Sequence, residues 1–511
     1  MKAKKIFGLL ATGLMALPLL FGAMGAGNSV DAQETSPTDG HVNVTVHKRV
    51  WKDSLPETDF PKQNTGELMD FGGEALNGAE FTVYDVTNGY YDLLNDKDSV
   101  HTVESAIKYI QDNAADFVED DEYNMIDKGT TSGTDEKENI LGQVTFENLP
   151  LENDDRDAVY LFIETAAPTN ITEMAQPMVI SMPIYALNSD GTPSDKELND
   201  IHLYPKNIRR ENKKELLYEE WYDTKVTVGE DTYYDLDSSG LVGYGITVYV
   251  PADLNSLSTF TVTDTPDEGL IFYEDENGSI SIDGLVLDED YEFTKNPQTG
   301  GFTIEFDLES EKIQALSGSA IRIEYRMQLT GDVLDAGLAN NAEIVLGTTS
   351  ETLSAPKVGT HGHKFVKTNA HTGETLLGAK FKIYQETPGT GKAYAMAEDS
   401  VVNGWSVKKD GTVFTSDSEG KFEIKGLKTG TYMLEEIEAP DGFIITDEVT
   451  EFEVKAGGYA DVAYLTTVKN TPKGLLPATG GNGIIALLAI GFGLMLGAFV
   501  WYKNSKKQAQ V

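Results

Sequence analysis

The chain contains no cysteine in 511 residues. Disulfides, thiolate nucleophiles and cysteine metal sites are excluded, so an exported domain of this sequence must be stabilised by other means. Histidine is scarce too, with seven residues scattered along the chain. Histidine-rich metal centres therefore lack support, and neither a cofactor nor a metal is expected. Positive charge is under-represented, 40 Lys and Arg against 83 Asp and Glu. That balance argues against nucleic acid or anionic membrane surfaces as partners, and solubility with mutual repulsion on an exposed surface accounts for it. Asp275-Glu276-Asn277-Gly278 has the outline of a calcium loop but lacks the closing ligands, and reads as a hairpin turn. Gly480-Gly481-Asn482-Gly483 reads as a flexible approach to the apolar run after it, not as a phosphate cradle.

Two apolar runs stand at the ends. Lys2, Lys4 and Lys5 precede residues 6–23, and Val30-Asp31-Ala32 offers small residues at the −3 and −1 positions of a signal-peptidase site. Residues 1–32 are expected to be removed, so that the mature chain begins near Gln33, outside the membrane. At the other end, Leu476-Pro477-Ala478-Thr479-Gly480 is followed by an uncharged run over residues 484–501 and then by Lys503, Lys506 and Lys507. As a helix that run would span about 27 Å, close to the ~30 Å hydrocarbon core of a bilayer. Trp501 and Tyr502 fall where an interfacial aromatic belt would, with the lysines as a positive-inside flank. Motif, span and basic tail together closely resemble the cell-wall sorting signal of Gram-positive surface proteins. The resemblance implies cleavage between Thr479 and Gly480 by a sortase, a membrane segment in the precursor only, and a surface location.

Between the two signals lie about 440 residues, enough for roughly three domains. Val42-Asn43-Val44-Thr45-Val46, residues 302–308 and Ile321-Arg322-Ile323-Glu324-Tyr325 alternate apolar and polar side chains between Gly-, Asn- and Asp-rich turns. This is the pattern of antiparallel sandwiches. Val100, Val103, Ile107, Ile110 and Phe117 depart from it with helical spacing, which predicts a surface helix packed on the first domain. An internal repeat is also visible. Leu76-Asn77-Gly78-Ala79-Glu80-Phe81 matches Leu376-Leu377-Gly378-Ala379-Lys380-Phe381. Each copy is followed by a Gly/Phe strand, at 143–146 and 421–424, and then by a Tyr-x-Φ-x-Glu stretch closing on Ala-Pro, from Tyr160 through Glu164 to Pro168 and from Tyr432 through Glu436 to Pro440. Two copies of one module flank a different middle domain.

Taken together, these features resemble a sortase-assembled backbone pilin. The terminal domains are similar to the B-type (CnaB) repeats of collagen adhesins and the middle domain to their A-type (CnaA) fold. The resemblance implies an all-β chain of three tandem Ig-like sandwiches, over residues 33–207, 208–356 and 357–472, with the sorting signal at 473–511. The Tyr-x-Φ-x-Glu stretches resemble the pilin E-box, and Tyr204-Pro205-Lys206-Asn207 resembles the core of the pilin motif. Ile201 and Leu203 replace the motif's valines, and its leading Trp would fall at Glu197.

The residues also carry a chemical argument. Period-two alternation puts Lys48 on the same inward face as Val42, Val44 and Val46. Desolvation favours the neutral, nucleophilic form of a buried amine and the protonated form of a buried carboxyl group. Such a lysine beside an asparagine carboxamide, with a protonated acid to polarise the amide and shuttle protons, can form an isopeptide bond and release ammonia without external help. In the third domain Phe365 and Lys367 share a face, Asn470 ends the last strand and Glu436 is the E-box acid. The matching set in the first domain is Lys48, Asn207 and Glu164. For the middle domain, resemblance to A-type folds implies an aspartate: Asp264 as the acid, Asn341 as the carboxamide and Lys214 as the amine, with Lys213 and Lys225 as alternatives. The self-made ties would take the place of disulfides.

Polymerisation would join two residues in different domains. A sortase thiolate would attack the carbonyl of Thr479, and the amine of Lys206 on another copy would resolve the acyl-enzyme. A head-to-tail junction that does not close makes an open filament. Lys206 is accordingly expected to be exposed, on the face shared with Tyr204 and opposite Ile201, Leu203 and Pro205. The expected partners are a sortase, further copies of the chain, minor or tip pilins, peptidoglycan and a host surface ligand. The alternative is a wall-anchored adhesin or minor pilin with the same modules that is never extended. On either reading the chain is not a conventional enzyme.

Overall fold

The computed structural model describes residues 40–474 and 482–508, apart from 59–61, 63, 97–100, 120–122, 134–140, 189–190, 220–221, 223, 275–279, 388, 390 and 447. The expected signal segment, the turn at 275–278 and the sorting motif from Leu476 to Gly480 lie outside the described residues. Strands dominate, and the chain divides into two compact units between Thr360 and His361.

The first unit holds two main sandwich cores. In the first, the strand His41–His47 sits between Asp200–Leu203, to which it is parallel, and Gln143–Pro150, to which it is antiparallel. Its valines at 42, 44 and 46 are buried, as the alternation requires. At Lys48 the chain leaves this sheet and resumes as Arg49–Lys52, which pairs in parallel with Lys206–Arg209 in a second sheet. The closing strand makes the same transfer at Tyr204 and Pro205. Pro205 has no N–H to contribute to a ladder, but its carbonyl accepts from Arg49 N at 3.0 Å. The transfer interrupts the expected alternation, so Ile201, Leu203 and Tyr204 are all buried and Lys206 is half-buried.

Where one helix was expected, the described residues form three, Thr87–Asn95, Val103–Asp112 and Ala114–Glu119. Thr102 and Ser105 form a capping box at the second. Ile110 and Phe117 pack with Val159 and Leu161 in a satellite core, whereas Val103 is half exposed. Asn113, donating to the carbonyl of Tyr109, ends the second helix and splits the predicted stripe between two elements.

The middle domain is a sandwich of two larger sheets. One is ordered Lys213–Leu216, Leu241–Tyr249, Ala320–Leu329, Leu270–Phe272; the other Tyr291–Asn296, Gly301–Phe306, Phe260–Pro266, Asn340–Leu346, Thr349–Ser354. Val358–Gly359 pairs with Asp231–Asp235 in a third, small sheet, so the middle domain's hydrogen bonding extends past residue 356. In the second unit the opening strand His361–Asn369 and the closing strand Thr466–Asn470 are parallel neighbours around a core that includes Phe365, Phe381, Ile424 and Val468.

Residues Asn482–Gln508 form a helix whose described apolar side chains, among them Leu488, Phe492, Phe499 and Trp501, are exposed. Among the described residues no helix is long and apolar enough to cross a membrane. The side chains of residues 484–486, which open the predicted span, are outside that description.

Candidate cross-linking sites

Lys48 is placed by the break between its two strands. Its N–H donates to the carbonyl of Gly142 at 2.7 Å and its carbonyl accepts from Leu76 N at 3.1 Å. Gly142 has φ +70°, and an added Cβ would lie 2.8 Å from Leu76 N and 2.9 Å from Lys48 O. Only glycine fits there. The side chain is thereby directed inward, fully buried, with Nζ 5.3 Å from the centre of the Phe81 ring.

There Nζ donates to Glu164 Oε2 at 2.7 Å and to Asn207 Oδ1. Asn207 Nδ2 donates to Glu164 Oε1 at 2.7 Å, and Ala175 N donates to Oε2 at 2.7 Å. The acid thus touches both the amine and the amide nitrogen. Burial, resisted by the attraction of Glu164, lowers the Lys48 amine from 10.5 to about 8.

The third domain repeats this arrangement. Lys367 N donates to Gly420 O at 2.7 Å, and Leu376 N donates to Lys367 O at 2.9 Å. Gly420 has φ +75°, with only 2.5 Å between a notional Cβ and Lys367 O. Lys367 Nζ donates to Asn470 Oδ1 and lies 3.2 Å from Glu436 Oε1, while Asn470 Nδ2 donates to the same oxygen at 2.8 Å. Thr446 N donates to Oε2 at 3.2 Å, and Phe381 lies 5.4 Å beneath the amine. The register corresponds as well, Asn207 opposite Val50 and Asn470 opposite Asn369, each two residues beyond the lysine. Burial lowers the Lys367 amine too.

The middle site differs. Lys214, on the strand Lys213–Leu216, is buried and donates to Asp264 Oδ2; burial lowers its amine to about 8 and raises the Asp264 carboxyl. Lys213 is exposed, and Lys225 lies on a partly exposed strand over the Tyr234 ring. In this chain the carboxamide on the inner face beside Asp264 is Asn340, not Asn341. Asn340, Ala342 and Ile344 point inward, whereas Asn341 and Glu343 face the other way. The sequence held that signal, because Asn341 shares its phase with Glu343 and Asn340 with the apolar residues. Asn340 Nδ2 donates to the Tyr325 hydroxyl at 3.2 Å, and Tyr325 donates to Asp264 Oδ2. Neither Asn340 Oδ1 nor Asp264 Oδ1 has a hydrogen-bond partner.

Lys206 is half-buried rather than exposed. Its amine lies 5.2 Å from the centre of the Phe71 ring and is lowered by desolvation. Phe71 stacks on Tyr204, whose ring also stacks on His47 and whose hydroxyl accepts from Met69 N at 2.8 Å. The next residue, Asn207, points into the core, so adjacent side chains have different surroundings. Tyr325, Phe71 and the glycines at 142 and 420 were not identified from the sequence, although each glycine immediately precedes a repeated strand. Among the described residues no group of three or more His, Cys, Asp or Glu is placed to hold a metal.

Residues 39–208 match the family model of the Gram-positive pilin subunit D1, N-terminal domain; residues 361–468 match a prealbumin-like fold domain, and residues 468–509 the LPXTG cell wall anchor motif. A Gram-positive pilin domain and a cell wall anchor motif thus stand in one chain. These matches point to a structural pilin fold anchored at the cell wall. The chain is 25% identical to fimbrial subunit type 2 of Actinomyces naeslundii over 539 residues, spanning 95% of this chain and 93% of that one. Similar solved structures include the full-length major pilin SpaD of Corynebacterium diphtheriae, at 22% identity, TM-score 0.43, and 86% and 99% of the two chains. Another is the full-length RrgB pilus protein of Streptococcus pneumoniae, at 17% identity, TM-score 0.47 and the same two coverages.

Proposed function

We propose that this protein is a pilin, the backbone subunit of a covalent pilus, polymerised by a sortase that joins Thr479 of one copy to Lys206 of the next. The observation that carries the reading is the setting of Lys206. Its amine is desolvated over Phe71 and biased toward the neutral form that an acyl-enzyme requires, while its neighbour Asn207 is committed to the core. One short stretch, Tyr204 to Asn207, thus supplies an intermolecular nucleophile and an intramolecular electrophile without conflict.

Within each subunit the lysines at 48, 214 and 367 act as amines toward Asn207, Asn340 and Asn470, with Glu164, Asp264 and Glu436 as proton carriers. The lysine nitrogen attacks the carboxamide carbon, the acid takes a proton from the amine and returns it to the departing nitrogen, and ammonia leaves. An ionisable amine is costly to keep buried, and the reaction replaces it with an amide that cannot ionise. In the end domains the bond joins neighbouring parallel strands near the two ends of the domain, so tension passes through it rather than through the ladder. The domains extend over residues 40–209, 210–360 and 361–472 on this reading. Replacing Lys206 with alanine tests the polymerisation step. A ladder of multimers resistant to hot detergent and reductant should collapse to a folded, exported monomer, and an unaltered ladder would assign the acceptor to another lysine.

A further inference from the structure

The middle site lacks a contact that both end sites have. Glu164 and Glu436 each bond the amide nitrogen of their asparagine directly, at 2.7 and 2.8 Å. Asp264 is shorter by one methylene; the Asn340 amide is near enough to help hold its carboxyl down, but Nδ2 does not form with it the close bond of the end sites, and Oδ1 is left unpaired. The gap is occupied by the Tyr325 hydroxyl, which donates to Asp264 Oδ2 and accepts from Asn340 Nδ2 at 3.2 Å. Tyr325 is 2% exposed and stands opposite Tyr244 on the neighbouring strand, with Lys214 Nζ within 5.7 Å of its ring centre. The corresponding aromatics beneath the end-site amines are phenylalanines, Phe81 and Phe381, which carry no hydroxyl. A hydroxyl is present at the site where the acid is short.

We propose that Tyr325 is a catalytic proton relay for the middle-domain bond, extending the reach of Asp264 to the leaving nitrogen of Asn340. The proposal rests on the reading of Lys214, Asp264 and Asn340 as a bond-forming set. Lys214 nitrogen attacks Asn340 Cγ, and its surplus proton passes to the Asp264 carboxylate. In the tetrahedral adduct Nδ2 becomes pyramidal and gains a lone pair, so its bond to Tyr325 reverses. Tyr325 then gives its hydroxyl proton to Nδ2 while accepting one from Asp264. The C–Nδ2 bond breaks, ammonia departs, and Tyr325 and Asp264 end as they began. The proton chain runs along hydrogen bonds already present, which need only change direction. Tyr244 also packs by the amine, its ring centre 5.5 Å from Lys214 Nζ, but its hydroxyl has no hydrogen-bond partner and so has no place in the proton chain.

The test follows newly synthesised full-length chain by tryptic mass spectrometry, reading the branched peptide that contains Lys214 and Asn340 against time. Tyr325→Phe removes one hydroxyl and keeps the ring. Its middle-domain bond should form about 100-fold more slowly or more, while the bonds at Lys48 and Lys367 form at the normal rate and confirm that the chain has folded. A second variant, Tyr325→Phe with Asp264→Glu, restores the missing methylene and should recover bond formation, because the acid then reaches Nδ2 as in the end domains. An unchanged rate in Tyr325→Phe would overturn the relay and leave the unpaired Asp264 Oδ1 as the direct donor. Failure of the double variant to recover would also overturn it. A wild-type chain with no branched middle peptide would instead overturn the underlying bond assignment, and with it the relay.

Discussion

Glu436→Gln isolates the chemistry of the third domain from its packing. The amide keeps the shape and an oxygen acceptor for Asn470 Nδ2 and Thr446 N, which Glu436 now bonds at 2.8 and 3.2 Å. It cannot, however, carry a proton between Lys367 and the leaving nitrogen. The variant should therefore fold with Lys367 and Asn470 adjacent but unlinked, and its intact mass should retain one more ammonia than the wild type. The lost tie closes a loop of 103 residues. By the chain-entropy relation used for disulfides that tie is worth about 4.7 kcal/mol. With an unfolding entropy near 2.1 cal/mol/K per residue and roughly 110 residues in the domain, the third-domain transition should fall by about 20 °C. Calorimetry of the purified protein, with proteolysis to locate the weakened domain, checks this. A variant that still loses the full complement of ammonia, or that melts with the wild type while unlinked, would refute the reasoning.

Asn340→Ala should leave the middle domain one ammonia heavier, whereas Asn341→Ala should leave it linked; peptide mapping distinguishes them. Thr479→Ala should stop polymerisation by preventing acyl-enzyme formation, so unprocessed precursor builds up in the membrane fraction on an immunoblot. Asn207→Ala leaves Lys48 as a buried amine at about 8 in the folded chain against 10.5 unfolded. Below pH 8 both states hold the proton and the cost is full; between pH 8 and 10.5 the unfolded chain binds more protons, so stability should rise with pH by up to about 3 kcal/mol. Denaturant titration should show this rise in the variant and not in wild type, where an amide nitrogen has replaced the amine. Phe71→Ala should slow transfer to Lys206 in a sortase assay, by removing the apolar face over which the amine is desolvated.

The end-domain sites were legible because three regularities coincide in each: an inward lysine on the first strand, a terminal asparagine and a repeated Tyr-x-Φ-x-Glu stretch. Alternation alone could not place Lys206, because the closing strand changes sheet at Pro205 and the phase is lost. It could have placed Asn340, whose phase with Ala342 and Ile344 was plain. Tyr325 was invisible for a different reason. Its strand reads as core, and only the register opposite Leu241–Tyr249 brings its hydroxyl between an acid and an amide from the other sheet. The helical insertion was seen as one stripe because periodicity does not report the cap at Asn113.

A covalent backbone built through Thr479 and Lys206 leaves a junction that survives digestion. Tandem mass spectrometry of trypsin-digested wall extracts reads that junction. A branched peptide in which the carboxyl of Thr479 is amide-linked to the Lys206 side chain is the predicted result. Thr479 found only on peptidoglycan, with the chain cleaved normally after Lys206, would contradict it and make the protein an anchored adhesin.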